Sequence, residues 1–348
     1  MAIRQTGQLS LADALARQPS RLNETLDRVQ SLIDWAQIDT VLAPLRGSHY
    51  GAPGYSPLLM FRALLLQQWY SLSDPGLEEA LIDHLSFRRF VGLALGEASP
   101  DHSTISRFRT ALVAQGLSEA VFEVINLQID AKGLILRQGT IIDATLVEAH
   151  VKRPKKPKAD KAAASEPTTD QAPSQGELPP KGERPASKLI LSPTDPEASW
   201  AKKGHTRYFG YKGHVAVDQG SGIIRRCILT TASVADTTMG DALIMGDERS
   251  LYADKGYDTK SRRAALKAAG AKDRISHRPN KHHPLTKRQE QRNDGISLRR
   301  APVERVFAIA KRLMGWRRVR YIGLARNAGH FDLLCTAINL KRLMVLST

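Results

Sequence analysis

Three carboxylates of this chain sit where an acid either costs stability or serves a purpose. Asp143 stands in the middle of Thr140-Ile141-Ile142-Asp143-Ala144-Thr145-Leu146-Val147, which reads as a buried strand; a charge there is unfavourable unless something pairs with it. Asp254 follows Ser250-Leu251-Tyr252-Ala253, at the carboxyl end of a short strand, the place where α/β sheets put their sites. Glu304 lies among bases, with Arg300 four residues before it and Lys311 seven after. On an α-helix Glu304 and Lys311 line up within about 20° and stand roughly 10 Å apart along the axis, and Arg300 reaches the same seam. A carboxylate flanked by cations suits a metal ion bound beside a phosphate. The plainer reading of Glu304, taken alone, is a surface partner for Arg300 at i,i+4. Three acids without a Cys or His cluster suit a hard, oxygen-loving ion, Mg²⁺ or Mn²⁺, and two such ions about 3.5–4 Å apart clamp the attacking and leaving oxygens of an in-line phosphoryl transfer. No Gly-rich nucleotide loop accompanies them, so the expected phosphate belongs to a nucleic acid and no nucleotide cofactor is expected.

The charge balance agrees. Lys and Arg number 51 against 35 Asp and Glu, a net charge of +16, the electrostatic footprint of a protein that meets a polyanion. A membrane span needs roughly 18–20 uncharged apolar residues, whereas the best run, Leu58 to Leu66, is short and carries Arg62. Residues 1–18 are mixed and include Asp13, so no secretory leader is expected. A cytoplasmic, nucleoid-associated protein without membrane contact follows. Cys227 and Cys335 each lie in an apolar segment without Cys-x-x-Cys spacing, which reads as reduced packing residues.

The elements that must position these groups fall into two textures. Residues 1–132 read as all helix. Two helices are expected within 10–45, with Leu22, Leu26, Val29, Leu32 and Ile33, then Ile38, Val41 and Leu42, at helical spacing. An apolar helix follows from Pro57 to about Leu72, another from Leu77, a capped start at Asp101-His102-Ser103-Thr104, and a last helix from Leu117 to Lys132. A loop between two helices, the second bearing Arg107 and Arg109 near its start, fits a helix-turn-helix in which both arginines contact DNA; an ordinary bundle with solvated arginines fits equally.

From Leu134 the pattern is β. Tyr208–Val217 and Ile223–Thr230 form an expected hairpin around a turn at Asp218. Asp236, Asp241, Asp247 and Glu248 read as caps or surface. A helix is expected from Thr259 to Ala269, a strand over Arg274–His277, an exposed basic segment over Lys281–Arg292, and helices over Val303–Met314 and Phe331–Leu346. The first of these last two carries Val303, Val306, Phe307, Ala310, Leu313 and Met314 as one apolar stripe. Residues 151–199, rich in Pro, Lys, Ala, Ser and Glu, lack the apolar content to order themselves and read as a flexible insertion. His205 and His214 lack a third partner for a metal.

The order Ile142-Asp143-Ala144-Thr145, Gly210-Tyr211-Lys212-Gly213-His214, Ala253-Asp254-Lys255-Gly256-Tyr257, then Arg300, Glu304 and Lys311 resembles the DDE transposases of bacterial insertion sequences, in the group numbered five. Ser56 to Leu112 resembles that group's helical N-terminal region. The resemblance implies an α/β fold: a ribonuclease-H-like mixed sheet (133–150 and 200–348) behind an all-α DNA-binding domain (1–132). It implies that Asp143, Asp254 and Glu304 hold two metal ions, and that Arg300 and Lys311 hold flanking phosphates of DNA. The family signature Tyr-x2-Arg-x3-Glu-x6-Lys is met at Arg300, Glu304 and Lys311 and broken at its first position, where Ser297 stands. The implied activity is cleavage at the element's ends and transfer of the 3′ ends to target DNA by two-metal phosphoryl transfer, as a homodimer or higher oligomer on DNA. The rivals are a DNA-binding regulator without catalysis and a metal-dependent nuclease that never joins strands.

Overall fold

In the computed structural model, which describes residues 4, 6–7, 21–46, 54–154, 192–279 and 284–347, the run around Asp143 becomes strand β1 (Thr140–Glu148). Five further strands assemble about it: β2 (Ser199–Lys203), β3 (Thr206–Asp218), β4 (Ile224–Thr231), β5 (Ser250–Ala253) and β6 (Lys272–Ile275). The sheet order is β2-β3-β1-β5-β6, with β4 also paired to β3. β1 runs antiparallel to β3, Asp143 opposite Val215 and Thr145 opposite Gly213. It runs parallel to β5, Thr140 beside Leu251 and Ile141 beside Tyr252. A two-residue tip joins β2 to β3 and residues 219–223 join β3 to β4, but the parallel pair β5–β6 needs a crossover, supplied by helix α9 below.

Alternation along β1 separates two faces. Ile141 and Val147 join the main apolar core, on the face that also carries Asp143 and Thr145. Ile142 joins a smaller cluster with Ala216, Leu251, Ala253 and Ile275 on the other.

Among the described residues seven α-helices precede β1: α1 (Arg21–Leu32), α2 (Trp35–Leu42), α3 (Pro57–Trp69), α4 (Asp74–Asp83), α5 (Leu85–Val91), α6 (His102–Ala114) and α7 (Leu117–Ala131). Five more come after β4: α8 (Asp236–Met239), α9 (Lys260–Ala268), α10 (Lys287–Arg299), α11 (Ala301–Ala308) and α12 (Leu324–Leu346). α12 is buried along most of its length, as its Phe331, Leu333, Leu334, Ile338, Leu340 and Leu343 require. It joins the two textures of the chain. Trp69 of α3 donates its indole N–H to the Ala337 carbonyl at 2.9 Å, and one core contains Leu26, Leu64, Ile125, Ile141, Val215 and Leu334.

Several expectations change in detail. The polar segment after Lys281 becomes α10 from Lys287 onward, opened by a reciprocal cap between Thr286 and Gln289; residues 280–283 lie outside the described residues. Of the insertion expected over 151–199, residues 155–191 lie outside the described residues. The chain is folded again by Ser192: Asp195 is buried and accepts from the Tyr211 hydroxyl at 2.7 Å. Residues 8–20, which open the first expected helix, also lie outside the described residues. The helix expected over 303–314 is α only as far as Ala308 and continues as a π turn, Ile309–Leu313. Accordingly Val303, Val306, Ala310 and Met314 are buried but Leu313 is 61% exposed.

Candidate active site

Asp143 and Asp254 come together because their strands do. The parallel register that places Ile141 beside Tyr252 brings Asp143 level with Asp254, just past the end of β5. Asp254 turns the chain: its Oδ1 accepts from the Gly256 N–H at 2.8 Å and caps a short 3-10 turn, Lys255–Tyr257. A side chain at 256 would meet that same oxygen, since a Cβ there lies 2.9 Å from Asp254 Oδ1. Asp143 accepts from the Ala144 N–H at 2.8 Å through Oδ1 and from Arg300 Nη2 at 2.7 Å through Oδ2. Burial pushes the Asp143 carboxyl above the usual carboxylate range; Arg300 offsets this, and the nearby charge of Asp254 adds to it.

Arg300 therefore pairs with Asp143, 157 positions away, and not with Glu304. Its Nε is buried without a partner among the described residues. Glu304, one turn later, is exposed and has no hydrogen bond or ion pair among the described residues. Lys311 does not stand free on the seam expected for it. Its Nζ donates to Thr145 Oγ1 at 2.6 Å and to the Leu146 carbonyl at 2.8 Å. Burial, then Lys203 and Arg317, lower its pKa. α11 is thus tied to β1 at both ends of the Asp143–Leu146 stretch, and Glu304 rises from the helix between the ties. No group of three or more His, Cys, Asp or Glu close enough to hold a metal ion occurs among the described residues, so two of the three expected acids meet while Glu304 stands apart from them.

Tyr257 and Asp236 were not singled out beforehand as site residues. Tyr257 is fully buried and its hydroxyl has no partner among the described residues. Burial, then Asp143, Asp236 and Asp254, hold its pKa far above normal, so the hydroxyl stays neutral beside three carboxylates. Its signal was the Gly-Tyr that follows Asp254. Asp236 pairs with Lys212 at 2.8 Å, and Asp241 and Asp247, exposed as the surface reading expects, pair with Arg262 and Arg225. His214 is buried with its pKa pulled down to about 4 by burial, and bonds Thr230.

The two arginines of α6 part company. Arg107 is exposed and, among the described residues, its side chain bonds only Thr104, at 3.1 Å, and remains open to a phosphate. Arg109, expected to contact DNA, is corrected by the structure: it is 5% exposed, because helical spacing turns it inward with Ile105 and Leu112. It pairs with Asp74, bonds Gln67 at 3.2 Å and lies over the Tyr321 ring at 5.2 Å.

Two family models match the chain. One, described as Transposase DDE domain, covers residues 135–340, more than half of the sequence; another, described as Transposase domain (DUF772), covers residues 13–111. The chain belongs to the Transposase DDE domain family. The transposase is therefore an enzyme that cleaves DNA and transfers its strands, and family membership implies dependence on a divalent metal ion. Its mixed sheet is consistent with the ribonuclease-H-like sheet of a DDE domain. Among solved structures the transposase is similar to the cryo-EM structure of the piggyBac transposase synaptic complex with hairpin DNA, with 11% identity over 99% of this chain and 78% of that one and a TM-score of 0.42. No described helix is long and apolar enough to cross a membrane.

Proposed function

We propose that this transposase cuts the ends of its own insertion sequence and joins the freed 3′ ends to target DNA, with Asp143, Asp254 and Glu304 holding two divalent ions, Mg²⁺ or Mn²⁺. The observation that carries the reading is the placement of Asp143 on β1 level with Asp254, just past the end of the adjacent parallel strand β5, with the charge of one raising the pKa of the other. Hard carboxylate oxygens that repel one another fit a divalent cation, and among the described residues no Cys or His joins the two acids in a ligand group. When bound, the ions would neutralise charge on the attacking and leaving oxygens of the phosphodiester.

In the first step the water oxygen bonds to phosphorus as the bond to the element's 3′ oxygen breaks, one water proton ending on that oxygen to give a 3′-hydroxyl and the other passing to solvent. In the second, the 3′-hydroxyl oxygen bonds to phosphorus of a target phosphodiester as the bond to the target's own 3′ oxygen breaks, and the hydroxyl proton ends, directly or through solvent, on that released oxygen. Arg300 has donors to spare beside Asp143 and would hold a phosphate there. Lys311 spends two of its three donors on β1, so it positions α11 and has one left for DNA. Arg107 is the α6 group that remains for DNA contact. Because an element has two ends, a homodimer or higher oligomer on DNA is the expected working unit.

Replacing Glu304 by Gln keeps shape and removes charge. Binding to an element-end duplex should stay within about threefold, while Mg²⁺- or Mn²⁺-dependent cleavage should drop by at least about 10²-fold, as loss of several kcal/mol of transition-state stabilisation implies. Cleavage by Glu304→Gln at the wild-type rate would remove Glu304 from the site.

A further inference from the structure

On the face of the sheet that carries Asp143 and Asp254, α10 stands off from β5 and β6 and leaves a trench of about 790 Å³. Ser250 and Tyr252 of β5 lie opposite Lys272 and Arg274 of β6, so all four share that face, and β6 is the last strand of the sheet. Arg249, Lys272, Arg274 and Arg299 line the trench; all four are exposed, and none has a side-chain partner among the described residues. A fifth cation, Arg292, is committed to the wall: it donates to the carbonyls of Ile275 and Asp273 at 2.8 and 2.9 Å and ties α10 to β6. Among the described residues no carboxylate lines the trench. Another cavity, about 540 Å³ beneath α7, mixes Arg137, Arg225 and Arg226 with Glu119, Glu123 and Asp130. Uncompensated cations in one groove are a polyanion site.

Position says which polyanion. Tyr252, on β5, is two residues before Asp254, and Arg299 directly precedes the Arg300 that holds Asp143, so the trench lies next to the acid pair without being lined by it. It lies at the amino-terminal end of β1, next to Gln138. The exposed Arg107 belongs to the other end: α6 packs through Arg109 on Tyr321, just after Arg318, which bridges Glu148 at the far end of β1. DNA held by α6 would reach the acids from one side and leave the other side, with the trench, for a second DNA.

We infer that this trench receives target DNA, gripping its phosphates without reading sequence. The inference rests on the transposase reading above. The probe is a fluorescent duplex lacking any element end, titrated with full-length protein, and the variant is Lys272→Glu combined with Arg274→Glu. The affinity for that duplex should fall at least tenfold, and the dependence of log affinity on log salt should flatten by about two counterions. With pre-cut element ends and a plasmid, joined product per end bound should fall by a similar factor. Unchanged affinity and slope would overturn the proposal, as would an equal loss on an element-end duplex, which would make the trench part of end recognition. A circular dichroism spectrum like the wild type's excludes unfolding, and Arg249→Gln with Arg299→Gln, on loop and helix rather than edge strand, repeats the test should β6 fail to form. If the wild type neither cuts nor joins, the reading beneath fails, while the unrelated duplex still reports on the trench.

Discussion

Arg300 holds its guanidinium 2.7 Å from Asp143 before any substrate arrives, and this shapes how the site answers to pH. Burial raises the Asp143 pKa, Asp254 raises it further, and Arg300 works against both. An acid whose folded pKa lies above its unfolded one contributes stability below the unfolded value and loses it as pH rises through the folded one. Ionised, as a metal ligand must be, Asp143 therefore weighs against the fold. Cleavage should rise with pH through the raised Asp143 pKa. Replacing Arg300 by Gln removes a lowering influence, so the acid limb of the cleavage profile should move to higher pH, by about one unit where the lost pair is worth roughly 1.4 kcal/mol. Rates measured from pH 5 to 9 in Mg²⁺ would decide it, and a limb that stays put or moves down would show that the pair does not set the ionisation of Asp143.

The elements that hold this geometry meet at Gly213. It lies opposite Thr145 on β1, and a Cβ there would come 2.5 Å from the Trp316 ring and 2.9 Å from that of Phe331. Those two rings stack at 4.6 Å and 13°, and the backbone N–H of Trp316 donates to the Ala310 carbonyl in the π turn. The missing side chain lets the end of that turn lie flat on the sheet with Lys311 over Thr145. Gly213→Ala should cost about 2 kcal/mol of stability, typical of overpacking. It should also change Trp316 fluorescence and lower cleavage beyond the loss of folded protein. Unaltered fluorescence and full activity would mean that the stack can give way.

Much of this was readable beforehand where the signal was local. β1 announced itself by β-branched residues, Asp143 by its cost within them, and the hairpin by alternation on either side of Asp218. The π turn gave no sign, since nothing from Val303 to Met314 breaks a helix and i→i+5 bonding depends on what the turn packs against. α10 was hidden by polar composition, although Thr286 and Gln289 stood at capping-box spacing. The Arg300–Asp143 pair spans 157 positions, and no helical seam could report it, so Glu304 was the nearer candidate partner.

For the molecule as a whole, Arg109 is the sharpest case of a residue whose type pointed outward and whose position pointed in. It joins α4 to α6 and lies over Tyr321 in the chain that leads into α12. Removing one member of a buried ion pair strands the other. Arg109→Ala should lower the free energy of unfolding in urea by about 3 kcal/mol, while DNA affinity per folded molecule stays as it was. A stable variant that binds DNA poorly would restore Arg109 to the DNA surface.

Because α12 comes after every other described element yet completes the core around Trp69 and Leu64, order of synthesis matters. While a ribosome is still making residues before Leu324, α1 to α7 lack the helix they close upon, and apolar surface stays open to chaperones and proteases. A chain broken ahead of α12 lacks the helix that completes the core around Trp69 and Leu64, and is expected to fold poorly.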